Sequence, residues 1–283
     1  MKNFFLKIFN FISLFYSFFF SKKYIRTVNE IFFQLTLKAN GYTNYGSLRT
    51  TGENYFIKLL EKTNPRLCID VGANIGAYSQ SLIKFTKAKI IAFEPLPEAY
   101  KLLKKIEKKH KGRFFAYNIG ISNKIGSLKL FTSNNLSELA TYEKNYNKVS
   151  FNKSNFIRSI SSKIITLDKF YKKNKLFFYK NGLDFIKIDT EGHEYEVLLG
   201  AKTVIQECRP NFIQIEVNQY QLLKNQNLYT ISKLLSDYYI YQILPFNSGL
   251  KKITSSHPNN NIFHLTNFVF IKKKFLNFNK NLI

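Results

Sequence analysis

The chain has 283 residues, 45% of them hydrophobic, which suits one large domain with a real core and excludes a disordered chain. The formal charge is +25, yet only six of the 43 basic residues are arginine (Arg26, Arg49, Arg66, Arg113, Arg158 and Arg209), the residue favoured for bidentate phosphate and base contacts. The lysines are spread evenly among abundant Asn, Ile, Phe and Tyr, as in a product of an A/T-rich genome, so a solvated basic surface is expected before a nucleic-acid footprint. An anionic membrane surface or acidic glycan stays compatible with that charge. Cys68 and Cys208 show no metal or redox spacing and read as buried thiols in a reducing compartment.

Residues 8–21 (IFNFISLFYSFFFS) are the most apolar stretch, at 14 residues short for a membrane span. No small-residue cleavage site follows, so a signal peptide is not expected. Asn3, Lys7, Asn10, Ser13, Ser17 and Ser21 recur at spacings of three and four, which predicts a helix with a narrow polar stripe and a wide aromatic face. With Lys2, Lys7, Lys22 and Lys23 flanking it, this helix either lies in a membrane interface through residues 1–22 or packs on its own domain or a second subunit. A second helix is expected over about 24–39, ending at Asn40-Gly41. Residues 1–45 thus form a helical extension and 46–283 the main domain.

From about Gly52 short apolar runs alternate with helical patterns, as βαβ units require. Strands are expected at 67–71, 89–93, 114–118, 185–188, 212–217, 238–244 and 267–271, with a hairpin strand at 127–131. Helices are expected at 78–85, 98–109 and 197–207. The polar stretch 133–163 reads as a long loop, either a lid whose Tyr142, Tyr146, Phe151 and Phe156 stack on a substrate or a floppy insertion.

The run Asp70-Val71-Gly72-Ala73-Asn74-Ile75-Gly76 follows an apolar strand and opens a helix, where a glycine-rich turn lets the backbone approach a nucleotide cofactor. It is not the dinucleotide fingerprint, because Asn74 stands where the middle glycine would be, which counts against a nicotinamide-dependent oxidoreductase. An acid in front, Asp70, suits a cofactor with a positive amino group, such as S-adenosylmethionine. The next strand ends in Phe93-Glu94-Pro95, with Glu94 placed 22 residues after Gly72, where a carboxylate can accept from both ribose hydroxyls.

CIDVGANIGAYS, AFEP, NIGISNKIGSLKL, TLDKF, DFIKIDTEGHEYEVLLGA and IQIEVN occur in that order, with TGENYFIKLLEKTNP before them and YYIYQILP and LTNFVFIKK after. Over about residues 46–273 the chain resembles the FkbM-type methyltransferases. The resemblance implies a Rossmann-like class I methyltransferase fold, α/β, with a mostly parallel seven-stranded sheet and helices on both faces. It also implies S-adenosylmethionine as cofactor and O-methylation, often of sugars in polysaccharide biosynthesis or of secondary metabolites. By position, Asp70, Gly72, Asn74 and Gly76 would hold the methionine part and Glu94 the ribose. Asn118, Ile119, Gly120 and Ile121 would wall the adenine.

The second strong motif, Lys187-Ile188-Asp189-Thr190-Glu191-Gly192-His193-Glu194, ends the fourth parallel strand, on the edge that faces ligands. A hydroxyl acceptor needs a base as the methyl group moves, and Asp189, Glu191 and His193 are the candidates. His193 comes first for its ordinary pKa near neutrality, and Asp189 second. The alternative is that Glu191 and Glu194 only meet a helix dipole and His193 only bonds a carbonyl. Asp189, Glu216 and Asn218 offer oxygen ligands suited to Mg²⁺, but a metal-free substrate pocket is expected. The leading function is therefore methyl transfer to a glycan, glycolipid or small hydroxylated acceptor in the cytoplasm, at or near the inner face of the membrane. An RNA or DNA methyltransferase is disfavoured because KIDTEGHE is unlike the Asn/Asp-Pro-Pro-aromatic run of base methylation. The other rival is a non-enzymatic membrane-docked binding protein on the same fold.

Overall fold

The computed structural model describes residues 2–133, 140–149, 158–279 and 282. The chain runs α1 (Lys2–Phe20), α2 (Arg26–Ala39), α3 (Glu53–Glu61), β1 (Leu67–Val71), α4 (Ala77–Phe85), β2 (Lys89–Phe93), α5 (Pro97–Lys109), β3 (Phe114–Tyr117) and β4 (Gly120–Ile121). It continues through β5 (Gly126–Thr132), β6 (Arg158–Ile165), α6 (Leu167–Lys173), α7 (Lys175–Asn181), β7 (Leu183–Ile188), α8 (Glu194–Leu199), α9 (Lys202–Cys208) and β8 (Phe212–Val217). Last come α10 (Leu228–Lys233), β9 (Tyr238–Ile243), β10 (Leu250–Ile253), β11 (Thr266–Lys272) and α11 (Lys273–Phe278).

The main sheet has the order β10-β9-β11-β8-β7-β1-β2-β3. Strands β8, β7, β1, β2 and β3 are mutually parallel. Strand β11 runs antiparallel between β8 and β9, and β10 pairs antiparallel with β9. This is the expected Rossmann-like α/β arrangement, with one strand more than the seven expected. The extra strand, β10, forms a hairpin with β9 around Gly249, whose φ of 108° no other residue adopts readily. Its LKKI carries two exposed lysines, too polar to signal a strand in the sequence.

Every residue of β1, β7 and β8 is buried, as befits parallel strands covered on both faces. The period of two divides their side chains between two cores. Leu67, Ile69 and Val71 meet α6 to α10 through Phe170, Phe178, Val197, Val204 and Ile231. Cys68, Phe185 and Phe212 meet α3 and α4 through Phe56, Leu60 and Leu82. Each fully buried Phe contributes roughly 1.5–3 kcal/mol by leaving water. At β1 the order reverses, with β2 on one side and β7 on the other, so a crevice opens beyond the carboxyl ends of β1 and β7.

Three local expectations are corrected. The helix expected over 197–207 is two helices, because Gly200 comes so close to the Ser122 backbone that a Cβ there would lie 2.0 Å from its carbonyl oxygen. The stretch 133–163 is not one loop: from Arg158 it is β6, which pairs with β5 and β4 in a second, three-stranded sheet. Its Ile160, Ser162 and Ile164 alternate inward, a pattern that two polar neighbours and Lys163 obscure. Residues 134–139 and 150–157, with Phe151 and Phe156, lie outside the described residues. Third, α1 does not pack on its own domain: residues 4–24 are all exposed. Among the described residues no single helix is long and apolar enough to cross a membrane, and α1 and α2 meet at a bend of 99°.

Candidate active site

The crevice at the sheet reversal is a cleft lined from at least six parts of the chain. Gly72, Asn74 and Ile75 come from the β1–α4 turn, Glu94 and Pro95 from the end of β2, and Ile119, Gly120 and Ile121 from the chain after β3. Asp189, Thr190 and Glu191 follow β7, Glu216 ends β8, and Asn44, Tyr45 and Glu53 close the side nearest the N-terminal segment.

The glycine-rich turn is set by its backbone. Gly72, Asn74 and Gly76 have φ of 81°, 47° and 87°. The Gly72 and Ala73 N–H groups both donate to the Phe93 carbonyl at 3.0 Å, fixing the turn to the end of β2. A Cβ on Gly72 would sit 1.7 Å from the Asp189 carbonyl oxygen, so only glycine lets the β1 and β7 ends converge. Glu94 locks the two halves together. One oxygen accepts from Asn74 N–H and the other from Leu96 N–H, each at 2.7 Å. Burial pushes its carboxyl up to about 7, and Asp70 and Asp189 add to the rise against those two hydrogen bonds. Each oxygen keeps a free lone pair for a further donor.

The opposite wall is acidic. Asp189, Glu191 and Glu216 bring oxygens to within 4.8 Å of one another, a spacing a hard divalent cation could share. Lys187 Nζ donates to Asp189 at 2.6 Å, and Asn218 Nδ2 donates to Glu191 at 2.9 Å and Glu216 at 3.3 Å. Burial, then the Asp189 charge, lifts both Glu191 and Glu216 well above the usual carboxylate range. Glu191 also sits at φ 52°, a conformation rare for its type, and its carbonyl accepts from Thr141 Oγ1 at 2.6 Å. The backbone therefore aims this side chain.

A family model described as the methyltransferase FkbM domain matches residues 70–242, more than half of the chain. The chain belongs to the FkbM methyltransferase family. It is 30% identical over 170 residues to the hexuronic acid methyltransferase AglP of Haloferax volcanii, an alignment covering 59% of this chain and 63% of that protein. The chain thus spans less than two thirds of that relative. Among solved structures, an O-methyltransferase from Bacillus cereus in complex with SAH overlays at TM-score 0.43 with 11% identity, covering 92% of this chain and 97% of that one. An rRNA methylase from Streptococcus thermophilus overlays at 0.38 with 10% identity, covering 77% and 93%. Both overlays are loose.

For an FkbM methyltransferase, the S-adenosylmethionine expected from the family can be tested against the side chains present. Asn74 Oδ1 is buried without a protein partner among the described residues although the residue lines the cleft, and Glu94 sits at its floor with acceptor capacity to spare. An unmatched acceptor and a carboxylate suit the amino and hydroxyl donors of that cofactor. Asp70 lies beneath the turn and does not line the cleft. It is fully buried, with one oxygen accepting from Ser79 Oγ at 2.6 Å and the other without a partner among the described residues. Gly76 packs toward Leu103 and Ile106 of α5. Asn118 also stands outside the lining: its amide donates to the carbonyls of Glu94 and Pro95 at 2.8 and 3.1 Å and braces the β2 turn.

The first-choice base does not reach the cleft. His193 precedes α8 with its ring behind the cleft wall, Nε2 2.9 Å from Ser122 Oγ and its face 5.0 Å from the Tyr142 ring. Burial holds its pKa down to about 4 against the pull of Glu196, so it is neutral at pH 7. Sequence reasoning also missed a polar row across the sheet. Asp70, Lys187 and Gln214 are direct neighbours in β1, β7 and β8, all buried. Tyr78 Oη donates to Gln214 at 2.6 Å, and Gln214 donates to Glu53 at 2.7 Å. The signal was available: polar residues at the same depth in three otherwise apolar strands.

Proposed function

We propose that the protein is an S-adenosylmethionine-dependent O-methyltransferase acting on a hydroxyl of a glycan, glycolipid or other small acceptor. One observation carries this: the Glu94-locked glycine turn and the Asp189–Glu191–Glu216 group form opposite walls of one cleft. The bound cofactor supplies an electrophilic methyl group on a positively charged sulfur. On one wall, Glu94 would accept from the ribose hydroxyls and Asn74 Oδ1 from the amino group. On the other, Glu191 takes the acceptor's proton on a side-chain oxygen. Its raised pKa makes it a stronger base than an ordinary carboxylate, and Asn218 and the Thr141 contact fix its position. Asp189, held by Lys187, lies beside it. The walls align the two reacting groups and exclude water. His193 supports the wall through Ser122 and Tyr142.

The hexuronic acid named for the relative favours a sugar acceptor here. A polynucleotide fits poorly, because among the described residues the only basic side chain lining the cleft is Lys187, which already donates to Asp189. A cytoplasmic protein with peripheral contact to the inner membrane face through residues 1–22 is the reading proposed, supported by the exposed aromatic side chains of α1 and the lysines beside them. The test is titration with S-adenosylhomocysteine beside NADH, repeated on Glu94→Ala. Tight binding of the first ligand alone, lost in the variant, supports the assignment. A folded protein that binds neither refutes it.

A further inference from the structure

We propose that α1 and α2 form a right-angled foot that docks on an anionic bilayer and holds the cleft at headgroup level, so that the acceptor is a lipid-linked saccharide. The acceptor class rests on the methyltransferase reading above; the docking does not.

Helices in proteins are stabilised mainly by packing an apolar face. Here Phe11, Leu14, Phe15 and Phe18 are 72%, 73%, 57% and 69% exposed, and α2 adds exposed Val28, Ile31, Phe32, Phe33 and Leu35. So large an apolar surface marks an interaction site. The two helices are joined as a unit: Tyr16 Oη donates to Asn29 Oδ1, and Asn29 Nδ2 donates to the Phe20 carbonyl, both at 2.7 Å. These bonds close the 99° corner; neither helix alone is long and apolar enough to cross a membrane, and only the bent pair taken together has that length and composition.

Charge chooses the occupant. Lys7, Lys22 and Lys23 stand within and just after the aromatic run, Arg26 is paired with Glu30, and no acidic residue precedes Glu30. A second copy would bring the same positive charge against it, whereas anionic headgroups complement it.

The foot leads directly to the cleft. Leu37 and Tyr42 are buried, Gln242 Nε2 donates to the Asn40 carbonyl at 2.8 Å, and Tyr42 Oη donates to the Asn259 carbonyl at 2.7 Å. The next residues, Asn44 and Tyr45, line the cleft. From Ala39 to Asn44 the chain can extend at most about 18 Å. Tyr45 lines the same cleft as Glu191 and Glu216. A foot resting in the headgroups thus brings the cleft within reach of a sugar attached to a lipid.

The experiment uses the full chain in three arms. The first is flotation with vesicles of phosphatidylcholine alone and with about a third phosphatidylglycerol. Binding is expected to the anionic vesicles only, to weaken with salt, and to fall at least about tenfold when Phe11→Asp, Phe15→Asp and Phe18→Asp are combined. These side chains are exposed, so the variant should keep the same unfolding midpoint and S-adenosylhomocysteine affinity. No flotation, or equal flotation of the variant, overturns the docking. So does a stable dimer in vesicle-free buffer that the triple variant dissolves. The second arm supplies methyl-labelled cofactor with lipid extract in vesicles, or with the water-soluble saccharides, from cells carrying the gene. Label in the organic phase, lost in the triple variant, supports the acceptor class; label in the aqueous saccharides alone overturns it. The third arm is the S-adenosylhomocysteine titration itself, whose failure sinks the methyltransferase reading and with it the acceptor class, while flotation still decides the docking.

Discussion

Replacing Glu94 with Gln changes one atom and one charge at the point where the β1 and β2 turns meet. In the free protein the Glu94 carboxyl titrates at about 7. If only the carboxylate accepts the ribose hydroxyls, affinity for S-adenosylhomocysteine falls roughly tenfold for each pH unit below that value, so binding at pH 6 is about tenfold weaker than at pH 8. Hydrogen bonds to a charged group contribute about 1.5–3 kcal/mol each. In Glu94→Gln the amide NH₂ must also face Asn74 N–H or Leu96 N–H, both donors. The expected loss at pH 8 is about 2–4 kcal/mol, roughly 30- to 1000-fold in Kd, with little slope left between pH 6 and 8. The same carboxyl sets a stability trend. Its folded pKa is raised, so its stabilising contribution is complete below about 4.5 and is lost as pH rises through about 7, a difference of roughly 3 kcal/mol. Glu194, also raised to about 7 by burial, acts in the same direction. Titration calorimetry across pH 6–8 with thermal melts of both proteins reads all of this. A variant that binds as tightly as the parent, or keeps its pH slope, would falsify the placement of Glu94 against the ribose.

Four further outcomes are expected. Glu191→Gln should lower kcat by about 10²–10⁴ and remove the alkaline-rising limb of the pH profile while leaving S-adenosylhomocysteine affinity within a few-fold; unchanged kcat would move the proton to Asp189 or Glu216. His193→Ala should keep kcat within about tenfold yet lose about 2–3 kcal/mol of stability, because Ser122 Oγ keeps only its long bond to Asn123 and Tyr142 loses a packed ring; a far larger loss of kcat with intact cofactor binding would restore His193 as the base. Gly72→Ala should destabilise by about 3 kcal/mol or more and abolish cofactor binding, since its methyl group collides with the Asp189 carbonyl; a stable variant that binds would show that β1 and β7 can part. Turnover should persist in EDTA, because Lys187 and Asn218 already donate to the acidic wall; loss restored by Mg²⁺ would make Asp189, Glu191 and Glu216 a cation site.

The sheet was legible because its parallel strands are buried on both faces and leave unbroken apolar runs such as LCIDV and FIQIEV. The glycine turn and Glu94 were legible because backbone conformation and strand ends confine which residues can stand there. His193 stands outside the cleft lining for a different reason. Spacing along the chain shows that Asp189, Glu191 and His193 leave the same strand, but not which way each turns. The left-handed φ at Glu191 and Gly192 directs the backbone there, and the histidine ring ends up against Ser122. Glu53 and Tyr45 reach the cleft from residues distant in sequence, so no local pattern announces them. Strand β6 escaped notice because a surface strand of a small sheet exposes alternate polar side chains that read as loop.

The position of β11 bears on how the protein is made. Residues 266–272 are the last strand in chain order, yet they fill an interior place between β8 and β9. Until they arrive, β8 and β9 are open sheet edges, and FIQIEV is an uncharged-to-weakly-charged β-prone segment able to pair with a stranger. Sheet completion is therefore a late, long-range event rather than a growth outward from β1. A growing or truncated chain lacking β11 is expected to be sticky, and substitutions in β11 should reduce soluble yield more than equally buried changes in β2.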